Sequence, residues 1–414
     1  MRPFGYQYDG AEHLVRPPYG GLAAYLADGC GLGKTIEACY ALQELTDAQN
    51  VLVVTNASSV GNWQSEQPVW APRISMECIS FDKARAARDL DGADWDAVIV
   101  DEAHNAKNHR AKRTKAALKL AAEAPRAMLL SATPMPNHPG ELWAPFHYLW
   151  PELLTDDNRT YAQWLGRYCR FTMHPQYGPR VYGVQNTAEL RALLAQVMLR
   201  RRVEDVALDL PPLRITQHML PTDPEFERHL AAAGVDVGLL VEAMEREEVK
   251  ENPSLSRLRH MIGVYKAPRI ASVVAAELGD KEYQKVVVFY QHTDVGDLME
   301  QALHQYGVVR IDGATPGTLR HKLVARFTKD PGVQVFLAQQ QAAGESLNLQ
   351  VASEMVLVEP PWTPDKITQL VGRIRRIGQG SPCRARVFGV LGSSDAGVMK
   401  TLVKKASFKR EVDL

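Results

Sequence analysis

The chain has 414 residues, enough for two or three domains and for more than one core. Apolar residues make up 45% and charged residues 23%, and Lys plus Arg balances Asp plus Glu at 48 each. That is an ordinary globular composition. Zero net charge excludes a histone-like coat protein, so a nucleic-acid binder of this kind must gather its basic residues locally. None of the five cysteines (Cys30, Cys39, Cys78, Cys169, Cys383) forms a CxxC pair, which leaves no zinc knuckle and no disulfide framework to expect. Residues Met1–Gln7 carry no apolar signal segment, and no run approaches the ~18 apolar residues of a membrane span. A cytoplasmic protein is expected, or a nuclear one in a nucleated cell.

The first strong signal along the chain is Asp28-Gly29-Cys30-Gly31-Leu32-Gly33-Lys34-Thr35, which follows an apolar run and opens a helical stretch over Thr35–Leu45. Glycines let several backbone N–H groups converge on one phosphate, and the helix start adds partial positive charge. Lys34 is placed to reach the β- and γ-phosphates of a nucleotide and Thr35 to hold magnesium. The strict phosphate-loop pattern asks for glycine where this chain has Asp28.

Strand-like runs follow at Val51–Val54, Ala97–Val100 and Ala127–Leu130, with a helical stretch at Ala111–Ala122. Strands alternating with helices imply a parallel α/β sheet with ligands at the carboxyl ends of its strands. Asp101-Glu102-Ala103-His104 stands at such an end. Asp101 suits magnesium, and Glu102 suits the orientation and deprotonation of an attacking water. From about residue 140 to 205 the pattern turns helical and rich in aromatics (Trp143, Phe146, Trp150, Tyr161, Trp164, Tyr168), which reads as a helical core. Residues 211–221 read as a connector. Residues 222–262 read as a charged helical segment whose Glu242, Glu245, Glu247, Glu248 and Lys250 form a solvated face. A second α/β series follows, with strands expected at Val286–Tyr290, Val308–Ile311, Val333–Leu337, Met355–Val358 and Ala385–Val390. The basic end, Lys404, Lys405, Lys409 and Arg410, reads as a solvated terminal helix.

Taken together and in order, these segments resemble superfamily-2 helicases, and among them the Swi/Snf-type translocases. In that family's D-E-M-G-L-G-K-T aspartate also holds the first place, as Asp28 does here. Asn62-Trp63-Gln64-Ser65-Glu66, Trp95 through His104 with Lys107-Asn108, and Ser131-Ala132-Thr133-Pro134 are similar to its successive motifs. Gln7 stands like the family's adenine-reading glutamine. In the second half the resemblance rests on Ile311-Asp312-Gly313, Arg320, Arg326-Phe327, Ala342 through Leu349, Pro361-Trp362-Thr363-Pro364, and Gln369 through Gln379, which ends in R-I-G-Q. Arg167-Tyr168-Cys169, Met198 through Arg202, Asp209 through Pro212 and Tyr265 through Pro268 resemble the annealing-helicase subgroup.

The resemblance implies an α/β fold with two RecA-like parallel-sheet lobes and helical insertions between them. The boundaries expected are a first lobe at 1–140, a helical insertion and brace returning to it at 141–210, a connector and second helical protrusion at 211–267, and a second lobe at 268–414. It implies an ATP- and magnesium-dependent motor that hydrolyses ATP at the lobe interface and moves along double-stranded or forked DNA to remodel or reanneal it. Gln7, Asp28, Gly29, Gly31, Leu32, Gly33, Lys34, Thr35 and Gly344 are the expected nucleotide-binding residues. Lys34, Asp101, Glu102, Arg373 and Arg376 are the expected catalytic ones, with Thr35 and Asp101 on the metal. The spacing of Arg373 and Arg376 puts both on one face of a helix, as arginine fingers. Ser131, Thr133 and Gln369 are expected to couple the ATP site to the track.

Phosphate contacts should dominate DNA binding, because a motor must not stop at particular sequences. Asn62, Lys107, Asn108, Gln291 and Asn348 are the candidates. Trp63 is open between packing and base contact, Arg200–Arg202 between tracking the duplex and anchoring the brace, and Arg375 is a surface or DNA-facing arginine. No wedge hairpin of the kind strand separation needs is legible. Strand separation, action on RNA, and an ATP-gated scaffold are the competing functions. No chromodomain-like or bromodomain-like module fits, which points to a compact, monomeric bacterial or viral motor.

Overall fold

A computed structural model of the chain describes residues 2–57, 59–86, 93–174, 178–202, 205–206, 210–232, 253–342, 347–361, 364–376, 378–393 and 395. These fall into two compact units that part between residues 206 and 210.

The first unit contains, in chain order, β1 (Ala23–Leu26), β2 (Asn50–Thr55), β3 (Ser75–Ser80), β4 (Ala97–Asp101), β5 (Ala127–Leu130), β6 (Cys169–His174), β7 (Gly178–Val184) and β8 (Met198–Leu199). Its helices are α1 (Gly5–Val15), α2 (Lys34–Leu45), α3 (Val60–Trp70), α4 (Phe81–Ala86), α5 (Lys112–Glu123), α6 (Trp143–Leu149), α7 (Tyr161–Tyr168) and α8 (Thr187–Leu194). Six strands form one sheet in the order β3-β2-β4-β5-β1-β8, every pairing parallel. Helices cover both faces, so the central strands must be apolar throughout. Leu52, Val54, Val98, Val100 and Leu129 enter the core beneath α5, while Val51, Val53, Ile99, Met128 and Leu130 enter the core beneath α1 and α2. Alternate side chains of a strand point to opposite faces, which divides one apolar run between two cores. Because β5 lies between β1 and β4, the turns that follow these three strands stand side by side at the sheet's carboxyl edge.

The aromatic stretch beyond β5 packs as the sequence led us to expect. Phe146, Trp150, Trp164 and Tyr168 are fully buried. Trp150 Nε1 donates to Ala23 O at 3.1 Å and Trp164 Nε1 to Pro139 O at 2.9 Å. The stretch is not wholly helical, however: β6 and β7 form an antiparallel hairpin, and β8 returns the chain to the sheet beside β1.

The second unit contains β9 (Leu213–Leu220), α9 (Pro224–Ala232), α10 (Pro253–Gly279), β10 (Val286–Tyr290), α11 (Thr293–Leu303), β11 (Val308–Ile311), α12 (Gly317–Lys329), β12 (Val335–Gln339), β13 (Glu354–Leu357), α13 (Pro364–Val371) and β14 (Cys383–Val390). Its sheet, ordered β11-β12-β10-β13-β14-β9, is parallel at every pairing. The connector expected over 211–221 is corrected here. Leu213–Leu220 is the sheet's edge strand, in register with β14 from Leu213↔Cys383 to Leu220↔Val390. The charged residues Glu242, Glu245, Glu247, Glu248 and Lys250, the terminal Lys404, Lys405, Lys409 and Arg410, and Gly344 lie outside the described residues. Among the described residues none of the five cysteines is joined in a disulfide, and no helix is long and apolar enough to cross a membrane.

Candidate nucleotide and nucleic-acid sites

The phosphate loop runs from the end of β1 into α2. Gly31 and Gly33 sit at φ 88° and 90°, the left-handed region that glycine adopts without a Cβ clash. At Gly33 a Cβ would also lie 2.4 Å from Gln7 Nε2, so the position is closed to side chains twice over. Gln7 Nε2 donates to Leu32 O at 2.9 Å, and Tyr6 Oη donates to the same carbonyl at 2.7 Å. Phe4 N donates to Gln7 Oε1 at 2.9 Å. The proposed adenine reader is thus fully buried and fixed to the loop at one end and to the entry of α1 at the other. Lys34 Nζ donates to Asp28 O at 2.8 Å, which folds the lysine over the loop that it is expected to serve.

Asp28 has a role that its place in the motif did not reveal. Its carboxylate accepts Arg201 N at 3.1 Å, Nε at 3.0 Å and Nη2 at 2.5 Å. Arg201 Nη2 also donates to Glu37 Oε2 at 2.8 Å, and Nη1 donates to Tyr6 O. Asp28 and Glu37 are wholly buried. One guanidinium therefore joins the return strand, the phosphate loop, α2 and α1. Of the two readings open for Arg200–Arg202, Arg201 takes the anchoring one. Burial, and then the charge of Asp28, push the Glu37 carboxyl up to about 8 against the opposing pull of Arg201. Gly10 of α1 makes room for this group: a Cβ there would lie 1.7 Å from Glu37 Oε2.

The acidic pair ends β4. Asp101 Oδ2 accepts Thr55 Oγ1 and Trp63 Nε1, each at 2.9 Å. Burial, with the charge of Glu102 behind it, raises the Asp101 carboxyl above the usual carboxylate range. Trp63 is wholly buried, so base contact is corrected: its ring is core and its N–H orients Asp101. Glu102 has φ 49° and ψ 46°, a left-handed backbone that costs a non-glycine residue about 1–2 kcal/mol. That turn sends the carboxylate to His104, whose Nδ1 lies 3.2 Å from Glu102 Oε2 and 3.0 Å from Ser131 Oγ. Ser131 Oγ accepts Thr133 N at 3.1 Å. Polar side chains thus run in sequence from Glu102 through His104 to the Ser131–Thr133 turn, the first link an ion pair that forms when His104 is protonated. Thr35 and Asp101 would be the donors for magnesium, which keeps waters and phosphates beside one or two carboxylates. Among the described residues no three His, Cys, Asp or Glu side chains gather to hold a metal ion.

In the second unit the helical spacing of the arginines is corrected. Helix α13 ends at Val371, and Arg373 N and Ile374 N donate to Leu370 O and Val371 O in tight turns. Gly372 is a poor helix residue, and Gly378 takes φ 96°, which turns the chain. Arg373 and Arg376 are half-buried. Arg375 Nε donates to Pro211 O at 2.9 Å, so this arginine braces the approach to β9. Gln379 Nε2 donates to Gln350 O, Ala352 O and Ile374 O, which accounts structurally for the last residue of R-I-G-Q. Gln369 is half-buried on α13.

The DNA candidates divide by exposure. Asn108 and Asn348 are exposed, while Asn62 and Gln291 are half-buried. Lys107 is committed elsewhere: its Nζ lies 2.8 Å from Glu141 Oε1. Burial alone would raise Glu141, but Lys107, with His138 and Asn137, outweighs it and holds the carboxyl below the usual range.

The order of these sites along two parallel-sheet units defines a class. The SNF2-related domain model matches residues 79–230, and the helicase conserved C-terminal domain model matches residues 269–378. The chain belongs to the SNF2 family of helicase-like ATPases. It is 28% identical over 420 residues to the human protein named DNA annealing helicase and endonuclease ZRANB3, across 92% of this chain and 38% of that one. It is 26% identical over 483 residues to the Drosophila melanogaster ATP-dependent helicase brm, across 99% of this chain and 29% of that one. Among solved structures it is similar to the Sulfolobus solfataricus SWI2/SNF2 ATPase core in complex with dsDNA, at 20% identity, a TM-score of 0.46, and coverage of 100% of this chain and 95% of that one. The chain spans well under half the length of these curated relatives. Family membership implies ATP as the nucleotide, with magnesium its usual companion.

Proposed function

We propose that this chain is a DNA-stimulated ATPase that translocates on double-stranded DNA and remodels or reanneals it. The polar chain Glu102–His104–Ser131–Thr133 is the observation that carries the reading, because it ties the hydrolytic carboxylate to a turn that can report its state. Magnesium held by Thr35 and Asp101 would neutralise charge on the β- and γ-phosphates. Lys34 exchanges its loop carbonyls for phosphate oxygens. Glu102 takes a proton from the water that attacks the γ-phosphorus, and ADP with inorganic phosphate leaves. Arg373 and Arg376 are proposed as arginine fingers, a contribution worth as much as ~10³–10⁵ in rate in analogous enzymes. Asn62, Asn108, Gln291 and Asn348 are proposed to touch DNA phosphates. The resemblance to annealing helicases favours reannealing over unwinding.

The test is ATP turnover with duplex DNA, single-stranded DNA and single-stranded RNA, beside fork-reannealing and unwinding assays. Duplex DNA should stimulate turnover, and Glu102→Gln should abolish it, a loss of ~10² or more. Stimulation by single-stranded RNA but not by duplex DNA would overturn the reading, as would robust unwinding without reannealing.

A further inference from the structure

The hairpin β6–β7 has no part in the nucleotide chemistry, yet its base is firmly built. Gln185 N donates to Tyr168 O at 3.0 Å, Gln185 Nε2 to Gly166 O at 2.6 Å, and Asn186 Nδ2 to Arg167 O at 2.8 Å. Arg167 Nη2 and Tyr168 Oη both reach Glu189, at 2.6 and 2.9 Å. Val184 and Cys169 close the first unit's core at that end. A two-stranded hairpin gains little stability alone, so this anchoring is what holds it in place.

Its two faces differ in chemistry. Cross-strand partners share a face, which puts Phe171 and Val181 with Met173 and Pro179 on one side. Arg170 and Thr172 lie on the other with Arg180. The register jumps between Arg170↔Gly183 and Phe171↔Val181, leaving Tyr182 as a bulged residue, and bulges commonly re-aim a side chain. Tyr182 is 57% exposed and Met173 69%. From Cys169 to Val184 the sequence contains no Asp or Glu.

An acid-free hairpin with Arg170 on one face, Phe171 and Met173 on the other, and Tyr182 exposed at the bulge matches a ligand that offers phosphates and bare bases together. Duplex DNA offers phosphates but keeps its bases stacked inside, whereas a single strand offers both, and bases stack on aromatic side chains. Resting on the DNA-motor reading above, we propose that this hairpin binds the single-stranded arm where a forked duplex opens, with Tyr182 and Met173 against bases and Arg170 against backbone phosphate.

The test compares the affinity of the full chain for a labelled blunt duplex and for the same duplex carrying single-stranded arms. The wild type should favour the fork. Met173→Ala with Tyr182→Ala should weaken fork binding about tenfold, the size of one lost base stack, and spare the blunt duplex. Tyr182→Phe keeps the ring and should keep the preference. Duplex-stimulated ATP turnover of both variants should stay within about twofold of wild type, because Tyr182 and Met173 are exposed side chains. No fork preference in the wild type, an unchanged preference in the double variant, or equal weakening on both DNAs would overturn the proposal. Fork binding through Tyr182 in a chain that duplex DNA does not stimulate would leave the hairpin standing and sink the motor.

Discussion

Each unit buries one glutamate under a helix glycine, and the two are held in opposite ways. In the first unit Gly10 of α1 lies over Glu37; in the second, Gly263 of α10 lies over Glu359, where a Cβ would come 2.8 Å from Oε1. Glu37 shares one guanidinium with Asp28, and its carboxyl is pushed up to about 8. Glu359 has its donors to itself: Gln291 N at 2.7 Å, His292 N at 3.1 Å and His292 Nδ1 at 2.6 Å. Burial would raise Glu359, but His292 and the two amides outweigh it and hold the carboxyl low. The difference is one of charge count. Beside the phosphate loop two acids share one guanidinium, with the charge of Lys34 a weaker second pull, so the arginine is their main counter-charge. At the second sheet's carboxyl edge the donors outnumber the acid, and the charge is fully used.

The contrast can be broken most forcefully at Arg201. Arg201→Met strands two buried carboxylates and should cost about 3–5 kcal/mol in chemical denaturation, with loss of ATP binding. A change under ~1 kcal/mol would show that the network does not hold the loop. Glu359→Gln should cost less, about 1.5–3 kcal/mol, because the amides keep an acceptor while losing its charge. It should also change the acid limb. Glu359 titrates below its ordinary 4.5, so its stabilisation is present above that pH and is lost as pH falls through the lower folded value. Stability measured downward from pH 5 should therefore fall less steeply in the variant. Glu37→Gln should have the smallest effect, within ~1 kcal/mol of wild type or slightly stabilising, since Arg201 keeps Asp28. A large loss would mean that both acids are needed.

Legibility in the sequence followed burial. Strands β2, β4, β5 and β10 are continuous apolar runs because helices cover them on both faces, and such runs announce themselves. β3 and β9 lie at sheet edges and carry Glu77, Arg214, Gln217 and His218, so their pattern reads as loop or connector. Strand β8, at two residues, offers no pattern at all. Lys34, Asp101 and Glu102 each sit in a local motif, so the sequence alone nominates them. Arg201 is not nominated in this way, because its partner Asp28 lies 173 residues away and only the return of β8 to β1 brings them together. Trp63 could not be decided from its neighbours either. The acceptor that buries it, Asp101, stands on a different strand.

That return strand has an architectural consequence. Everything between Leu130 and Met198 leaves the first sheet and rejoins it two places along, beside β1. Both ends of the excursion are clamped, so lengthening it adds only loop-closure entropy, about 0.6 kcal/mol per doubling. New hairpins or whole appendages can be grafted there and remain tied, through a two-residue strand, to the edge of the phosphate loop.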